Sequence, residues 1–263
     1  MALGVLALSA CGNKDNPNEG QEPVNILDLL YANGKEVRDQ EIRSTAMQQT
    51  MKYNVWLPPK YNKDTSYPIL YLLHGAGDDH NAWLSNTINA YGGQQGGDAA
   101  QIAANYVKAN GVPMIIVMPD AQLSFYMGNF ETYMYQELMP TVEKDYKFNG
   151  KRAVAGLSMG GYGTLYYALK YPQMFTYAYA MSPAVSTEMA DMVTDPKILP
   201  GMTVETGEAD ITTQMATITP FVEAMRAKGV NIDYITVPNY GHQWEFWRAC
   251  LPHALQKIGE SFK

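Results

Sequence analysis

"RAVAGLSMGGYGTLYYALKYP", residues 152–172, is the stretch of the sequence that decides the fold. It passes from an apolar run, through four glycines and one serine, into a segment with the composition of a helix. Glycine costs conformational entropy on folding, so such a cluster marks a sharp turn or a close backbone approach. Ser158 stands between Gly156 and Gly160 in the pattern G-x-S-x-G, which holds a nucleophile on a tight strand-to-helix turn. We therefore predict a strand, a nucleophilic Ser158 and a helix whose N-terminal amides favour a developing oxyanion.

The rest of the chain alternates between strand-like and helix-like segments. "YPILYLLHG" and "PMIIVMPD" are continuous apolar runs closed by turn residues, which is typical of strands buried on both faces. Helical spacing appears in "DAAQIAANYVKANG" and in "FETYMYQELMPTVEKDY", where Pro140 is expected to kink or divide the helix. The alternation predicts one α/β domain over residues 36–263, with a mostly parallel central sheet and helices on both faces.

Two connecting segments bear on access to the site. Residues 186–201 are too few to form a large lid domain. Residues 85–98 are rich in Gly, Gln and Asn, and we expect them to form a mobile loop.

Composition excludes several classes of function. The 263-residue chain carries a net charge of −7 and has a pI near 5.1, which gives no basis for nucleic-acid binding, since that requires a basic face. The sequence contains no metal-ligand cluster, nucleotide-binding loop or heptad repeat. We therefore expect no cofactor and no bound metal.

A serine hydroxyl needs a base, and the chain offers four histidines: His74, His80, His242 and His253. His242 lies in "PNYGHQW", just beyond the last predicted strand, at the carboxyl edge where ligands bind to parallel sheets. We predict that His242 is the base.

The base needs a carboxylate that orients it, in the chain order serine, acid, histidine. Three acidic residues lie at the end of one predicted strand, in "TVETGEADI". Glu205 alternates on the strand itself, whereas Glu208 and Asp210 fall on the loop that follows. We choose Asp210 and keep Glu208 as the alternative.

The oxyanion of a tetrahedral intermediate requires two backbone donors. The amide of Met159, immediately after the nucleophile, is the first. The second is expected from "LLHGAGDD", either at Ala76 or at Gly77. In that loop His74 is expected to support the turn rather than to carry a proton.

The N-terminus is predicted to be a targeting segment. Leu8-Ser9-Ala10-Cys11 ends a short apolar run and resembles the lipobox of bacterial lipoproteins, although no Lys or Arg precedes the run. We predict a signal peptide over residues 1–11, lipidation of Cys11 and a flexible tether over residues 12–35. By the usual sorting pattern, Gly12 favours the outer membrane or cell surface, so the lipid would be the protein's contact with the membrane. Cys250 is expected to be a buried hydrophobe without a disulfide partner.

Taken together, these motifs resemble the esterase D-like branch of the α/β hydrolases, which includes the feruloyl and acetylxylan esterases of carbohydrate esterase family 1. The resemblance rests on "YLLHGAGDDHNAW", "ELMPTVEKDY", the G-L-S-M-G-G-Y-G stretch, "ETGEAD" and "NYGHQWEFWRACLPHAL". It implies an α/β-hydrolase fold, the triad Ser158, Asp210 and His242, and Ala76 rather than Gly77 as the second oxyanion donor. It also implies a serine esterase that removes feruloyl or acetyl groups from xylan.

Four aromatic side chains stand near the predicted catalytic loops in sequence and are expected to contact the substrate: Trp83, Tyr126, Tyr162 and Trp244. The ester substrate is expected to be carried on an oligo- or polysaccharide. Three alternatives remain open at this point. They are an acyltransferase, an enterochelin-type esterase, and a non-catalytic carbohydrate-binding surface lipoprotein.

Overall fold

A computed structural model describes residues 32–88, 92–213 and 215–263, and its central feature is an eight-stranded sheet. The strands, in chain order, are β1 Lys35–Arg43, β2 Thr50–Leu57, β3 Tyr67–Leu73, β4 Thr87–Ile88, β5 Gln94–Gln95, β6 Ile115–Pro119, β7 Phe148–Leu157, β8 Tyr177–Met181, β9 Gly201–Gly207 and β10 Ile232–Val237. Strands β4 and β5 form a separate two-stranded sheet, and the other eight form the large sheet. The order in the large sheet is β1-β2-β6-β3-β7-β8-β9-β10. In the large sheet, β1/β2 and β2/β6 are antiparallel pairs, and the other neighbouring strands pair in parallel. The predicted mostly parallel α/β sheet is confirmed.

Helices cover both faces of this sheet. They are α1 Ala99–Lys108, α2 Asn129–Tyr133, α3 Met139–Asp145, α4 Met159–Lys170, α5 Met215–Ala227 and α6 Trp244–Ser261. The side chains of α1 and α6 pack in one hydrophobic cluster, and those of α2 to α5 pack in the cluster on the other face. Every residue of β3 and of β6 is buried as a result, which explains why these strands are continuous apolar runs.

The helix that contains Pro140 is irregular just before the proline. The predicted helix over residues 130–146 is divided into α2, a π-helical turn over Met134–Leu138, and α3, in which Pro140 is the second residue. The three pieces follow one another without a break, and the Met139 amide donates to the carbonyl of Met134, five residues earlier. The wider π-helical turn just before Pro140 accommodates the proline ring and its missing amide hydrogen.

The strand β1 was not predicted. Its sequence, "KEVRDQEIR", is mostly charged and six of its nine residues are exposed. Such a strand at the edge of a sheet carries little hydrophobic alternation, and its charges protect the edge from pairing with other chains. Residues 1–31 lie outside the described part of the chain, and with them the predicted signal peptide, Cys11 and most of the tether.

Two connections at the carboxyl ends of the strands bear on access to the site, one between β8 and β9 and one before α1. Residues 187–198 form only short 3₁₀ turns, as expected for a chain without a large lid there. In the 85–98 segment, β4 and β5 pair as a small antiparallel ribbon, which the sequence did not predict, and the mobility of the segment stays a prediction. Helix α6 holds the segment by two of its side chains: Glu245 accepts a hydrogen bond from the Gln94 amide at 2.5 Å, and Arg248 binds Asn86 and Asp98.

Candidate active site

The glycines around Ser158 exist because backbones meet there. A Cβ on Gly160 would lie 2.4 Å from the carbonyl oxygen of Leu73 in β3, and one on Gly156 would lie 2.6 Å from the carbonyl of Gly160. Neither position has room for a side chain. Ser158 itself has φ 53° and ψ −115°, in the left-handed region that L-residues rarely adopt. The turn between β7 and α4 is therefore strained and tightly packed, and it presents the Ser158 hydroxyl at the carboxyl edge of the sheet.

The structure brings Ser158, His242 and Asp210 together at that edge. Nε2 of His242 lies 3.0 Å from Oγ of Ser158, and Nδ1 of His242 lies 2.8 Å from Oδ2 of Asp210. Three different strands place them, because each residue follows the end of β7, β9 or β10. This chain of hydrogen bonds allows the imidazole to accept the serine proton while the carboxylate stabilises the resulting imidazolium.

The carboxylate of Asp210 is completely buried and well satisfied. Besides His242, it accepts hydrogen bonds from the amides of Thr212 and Thr213 and from the Thr213 hydroxyl. Burial alone would raise the pKa of Asp210, but the hydrogen bonds from His242 and from the Thr213 amide outweigh it and hold the pKa well below its usual range. Glu208, the sequence-based alternative, is exposed and accepts from the Thr236 hydroxyl. The structure therefore places Asp210, not Glu208, behind the imidazole.

The loop after β3 carries the second predicted oxyanion donor. Ala76 is exposed and lines the cleft above Ser158, and Met159 is the first residue of α4, where amides lack an intrahelical acceptor. Gly77 does not line that cleft. The structure therefore favours Ala76 over Gly77 by its place in the cleft wall, and the oxyanion role of Ala76 and Met159 stays a prediction.

His74 holds this loop in place. Its Nε2 accepts from the amide of Ala121, so Nδ1 carries the proton and lies 2.7 Å from the carbonyl oxygen of Gly75. Burial lowers the pKa of His74, which keeps the ring neutral in this arrangement. The backbone carbonyl of His74 also accepts from the hydroxyl of Tyr126. His74 supports the turn, as expected from the sequence.

The remaining histidines lie away from Ser158. His80 is buried and pairs with Asp39 at 2.9 Å, next to the edge strand β1. His253, on α6, covers the buried carboxylate of Glu205 at 3.1 Å, and Tyr179 donates to the same carboxylate. Cys250 is free and buried, and burial raises the pKa of its thiol, so it is a poor nucleophile.

Two of the four aromatic substrate contacts predicted from the sequence require correction. Tyr126 is 0% exposed and Trp83 is 1% exposed, so neither can contact a ligand. Each ring packs inward because its polar tip has a buried partner: Trp83 donates to the Leu73 carbonyl and Tyr126 to that of His74. Both residues instead support the loop that carries Ala76.

Of the other two aromatic residues, Trp244 lines the cleft at Ser158 and Tyr162 does not. Trp244 is held edge-to-face between Trp83 and Trp247. Tyr162 lies one helical turn after the nucleophile, and its amide donates to the carbonyl of Ser158. Its ring packs edge-to-face on Phe125, which is 38% exposed. Trp244 therefore belongs to the cleft, whereas Tyr162 packs beside Phe125 outside the cleft wall, and substrate contact by either residue stays a prediction.

Asp78 and Gln95 are among the cleft residues that sequence reasoning missed. The cleft at Ser158 has a volume of about 370 Å³, and its wall includes both of them. Asp78 follows the predicted oxyanion loop closely enough to have been considered, but Gln95 gave no signal because residues 85–98 resemble an ordinary loop. No group of His, Cys, Asp or Glu within the described ranges is arranged to hold a metal ion.

A parallel sheet whose carboxyl edge carries a strained serine, joined through histidine to a buried aspartate, defines the class of α/β hydrolases with a serine nucleophile. Within that class the chain belongs to the Esterase family, whose model matches residues 44–202.

Several individual proteins are similar to the chain over most of its length. An endo-1,4-beta-xylanase/feruloyl esterase of Xylanibacter ruminicola is 31% identical over 235 residues, which are 82% of this chain and 30% of that protein. A solved ferulic acid esterase is 27% identical, with a TM-score of 0.76 over 87% of this chain and 99% of the other. The ferulic acid esterase of Anaeromyces mucronatus shares the fold, with a TM-score of 0.72 at 20% identity over 96% and 97% of the two chains. The chain spans less than a third of the length of the first curated relatives that it matches.

Proposed function

We propose that this esterase removes feruloyl or acetyl groups from xylan through a covalent acyl-enzyme. The names of the similar proteins, a xylanase/feruloyl esterase and a ferulic acid esterase, support this substrate class. The open cleft at Ser158 supports it too, since an ester that hangs from a polymer needs a site that is accessible from the side. The single observation that carries the proposal is the hydrogen-bonded chain from Ser158 through His242 to Asp210.

In the first half of the reaction, Nε2 of His242 accepts the proton of Ser158 as Oγ attacks the acyl carbonyl. The negative charge develops on the carbonyl oxygen, where the amides of Ala76 and Met159 would donate to it. The bond to the sugar oxygen then breaks, and His242 returns the proton to that oxygen. The sugar leaves as an alcohol, and the acyl group stays on Ser158.

In the second half, His242 takes a proton from water, and the hydroxide attacks the acyl-enzyme. The tetrahedral intermediate collapses, Ser158 recovers its proton from His242, and the free acid leaves. Asp210 stays ionised throughout, because its hydrogen bonds hold its pKa well below the usual range despite its burial.

The acyl half of the substrate is assigned to the side of Tyr162. Phe125 and Met127 stand beside Tyr162 and are 38% and 39% exposed. The Tyr162 ring contacts both of them, at 5.8 Å between ring centres for Phe125 and 3.2 Å from its hydroxyl to the Met127 sulfur. An aromatic ring of the acyl group can pack on this exposed apolar surface.

The proposal is tested with Ser158→Ala and a panel of esters. Wild-type protein should hydrolyse methyl ferulate and release ferulate or acetate from substituted xylan, and Ser158→Ala should lose several orders of magnitude in kcat. Ser186→Ala, at an exposed serine on the loop after β8, is the matched control and should keep full activity. A Ser158→Ala enzyme as fast as wild type would end the proposed mechanism. A wild-type enzyme that is inactive on every feruloyl and acetyl ester would end the proposed substrate class.

We also propose that Cys11 carries a lipid that holds the protein at the outer membrane or cell surface. Support comes from the Leu8-Ser9-Ala10-Cys11 sequence and from the polar residues after it. No helix in the described ranges is long and apolar enough to cross a membrane. Labelled palmitate should enter wild-type protein in a bacterial host and be absent from Cys11→Ala, whereas Cys250→Ala should still be labelled. Unlabelled wild-type protein would contradict this proposal.

A further inference from the structure

A polar groove continues from Ser158 into a second cleft. The first cleft, of about 370 Å³, contains the nucleophile and the base. The second, of about 350 Å³, opens beside it, and the two share three wall residues: Asp78, Gln95 and Trp244. Together they offer the volume of a site that holds more than the reacting ester group.

The direction of this groove identifies which half of the ester it faces. His242 must return its proton to the oxygen of the departing alcohol, so the alcohol leaves on the side of the imidazole. The wall of the first cleft includes residues 242–245 and Trp247, all on that side. Tyr162 and Phe125 do not line either cleft. The groove is therefore on the side from which the alcohol half departs, and it is separate from the exposed apolar surface at Tyr162.

The lining of the second cleft has the chemistry that binds hydroxyl groups. Carboxylates, amides and hydroxyls make up most of it: Asp78, Asp79, Asn81, Ser85, Thr87 and Gln95. Trp244 adds one aromatic side chain, which packs against Trp83 and Trp247. A dense set of hydrogen-bonding groups around one aromatic side chain suits a sugar, which presents both hydroxyls and C–H groups.

Asp78 stands at the junction of the two clefts. A Cβ on Gly75 would lie 3.5 Å from Cβ of Ser158 and 3.4 Å from Oδ2 of Asp78, so the nucleophile and the carboxylate flank Gly75. The Asp78 carboxylate and Ser158 can therefore both contact one bound molecule. Gln95 reaches the same junction from the opposite wall, which belongs to the 85–98 segment.

We propose that this groove is the alcohol subsite, that it takes a sugar residue of a carbohydrate ester, and that Asp78 and Gln95 determine the preference for sugar over simple alkyl alcohols by hydrogen-bonding the sugar hydroxyls. The inference rests on the proposed function, because it assigns the second half of the same substrate.

The state of Asp78 supports this assignment. Burial raises the pKa of Asp78 to about 6, although a hydrogen bond from the Gly75 amide opposes that shift. A partly buried carboxylate that remains in a cleft at a cost to stability is characteristic of a functional position. Hydroxyl donors from a bound sugar would replace the water that this carboxylate has lost.

The test compares the alcohol halves of matched esters. For wild type, Asp78→Asn and Gln95→Leu, kcat/KM is measured on methyl ferulate and on a feruloylated arabinoxylo-oligosaccharide. The same pair is measured with acetyl esters of methanol and of a xylo-oligosaccharide. We expect wild type to prefer the sugar ester, and each variant to lower the ratio of the two kcat/KM values about tenfold or more. Asp191→Asn, which removes the same charge from an exposed site, should leave the ratio unchanged.

The readout is a ratio because Asp78 also touches the loop that carries Ala76. If Asp78→Asn only disturbed that loop, both esters would slow equally and the ratio would not move. That result, or a wild type without preference for the sugar ester, overturns the inference while leaving the esterase activity intact. If methyl ferulate is not hydrolysed at all, the proposed feruloyl substrate class is wrong instead. The ratio of kcat/KM for the two acetyl esters then still measures the preference for the alcohol. Gln95→Leu lies on the opposite wall and checks the result independently of the loop.

Discussion

Replacing Asp210 by Asn should inactivate the enzyme, because it moves the ring proton of His242 from one nitrogen to the other. Oδ1 of Asp210 accepts from the amides of Thr212 at 2.9 Å and Thr213 at 3.0 Å. In Asp210→Asn the side-chain oxygen must take that position, since an NH₂ group cannot face two amide donors. The NH₂ group then faces Nδ1 of His242, where the wild-type carboxylate accepted at 2.8 Å. Nδ1 becomes an acceptor, and the ring proton moves to Nε2.

A proton on Nε2 points at Oγ of Ser158, so the ring can no longer act as a base. The equivalent change in a serine protease triad lowers kcat about 10⁴-fold, which corresponds to about 5 kcal/mol of barrier. We expect a loss of the same order here, measured as kcat on methyl ferulate. The fold should survive, because both amide bonds to Oδ1 are kept and the Thr213 hydroxyl, which donates to Oδ2, can turn to accept from the new NH₂ group. A urea denaturation curve checks this.

Glu208→Gln is the matched control, two residues earlier on the same loop. Its carboxylate accepts from the Thr236 hydroxyl, and an amide oxygen can accept in the same way. Activity should therefore stay within about twofold of wild type. The reasoning is refuted if Asp210→Asn keeps more than about a tenth of the activity, or if Glu208→Gln loses as much.

Three further outcomes follow from packing and charge. Asp78→Asn should be more stable than wild type at pH 7.5 by about 1–2 kcal/mol, after discounting for partial exposure, and urea curves should converge below about pH 4. The sign follows because burial raises the pKa of Asp78 to about 6, so wild type loses this stability as pH rises from about 4 through 6. Gly160→Ala should lose about 3 kcal/mol or more, or fail to accumulate in soluble form, because the new methyl group would lie 2.4 Å from a backbone carbonyl. Tyr126→Phe should cost about 1 kcal/mol in thermal unfolding by removing the 2.9 Å hydrogen bond to His74, and unchanged stability would contradict that contact.

The parts of the site that the sequence predicts well are those fixed by local geometry. G-x-S-x-G encodes the turn at Ser158, because only glycine allows the backbone approach found at Gly160. His242 is predictable because side chains after a parallel strand stand at the carboxyl edge. The choice between Glu208 and Asp210 depended on how one loop folds. The Glu208 amide bonds to the carbonyl of Val237, and its carboxylate extends toward Thr236.

The parts that escaped prediction depend on contacts between distant segments. Trp83 and Tyr126 lie near the catalytic loops in sequence, yet carbonyl groups of residues 73 and 74 draw their polar tips inward. Gln95 enters the cleft only because Glu245 and Arg248, about 150 residues later, hold the 85–98 segment in place. The strand β1 shows no period because it is exposed at the edge of the sheet.

The attachment of the 85–98 segment to α6 has a mechanical consequence. Glu245 and Arg248 grip the wall of the groove, and they belong to the helix that begins two residues after His242. A force that pulled this wall outward would be transmitted to the first turn of α6 and from there to the imidazole. Opening the groove for a bulky product would thus also move His242 away from Ser158. A variant that separates the two movements would have to remove the contacts of Glu245 and Arg248.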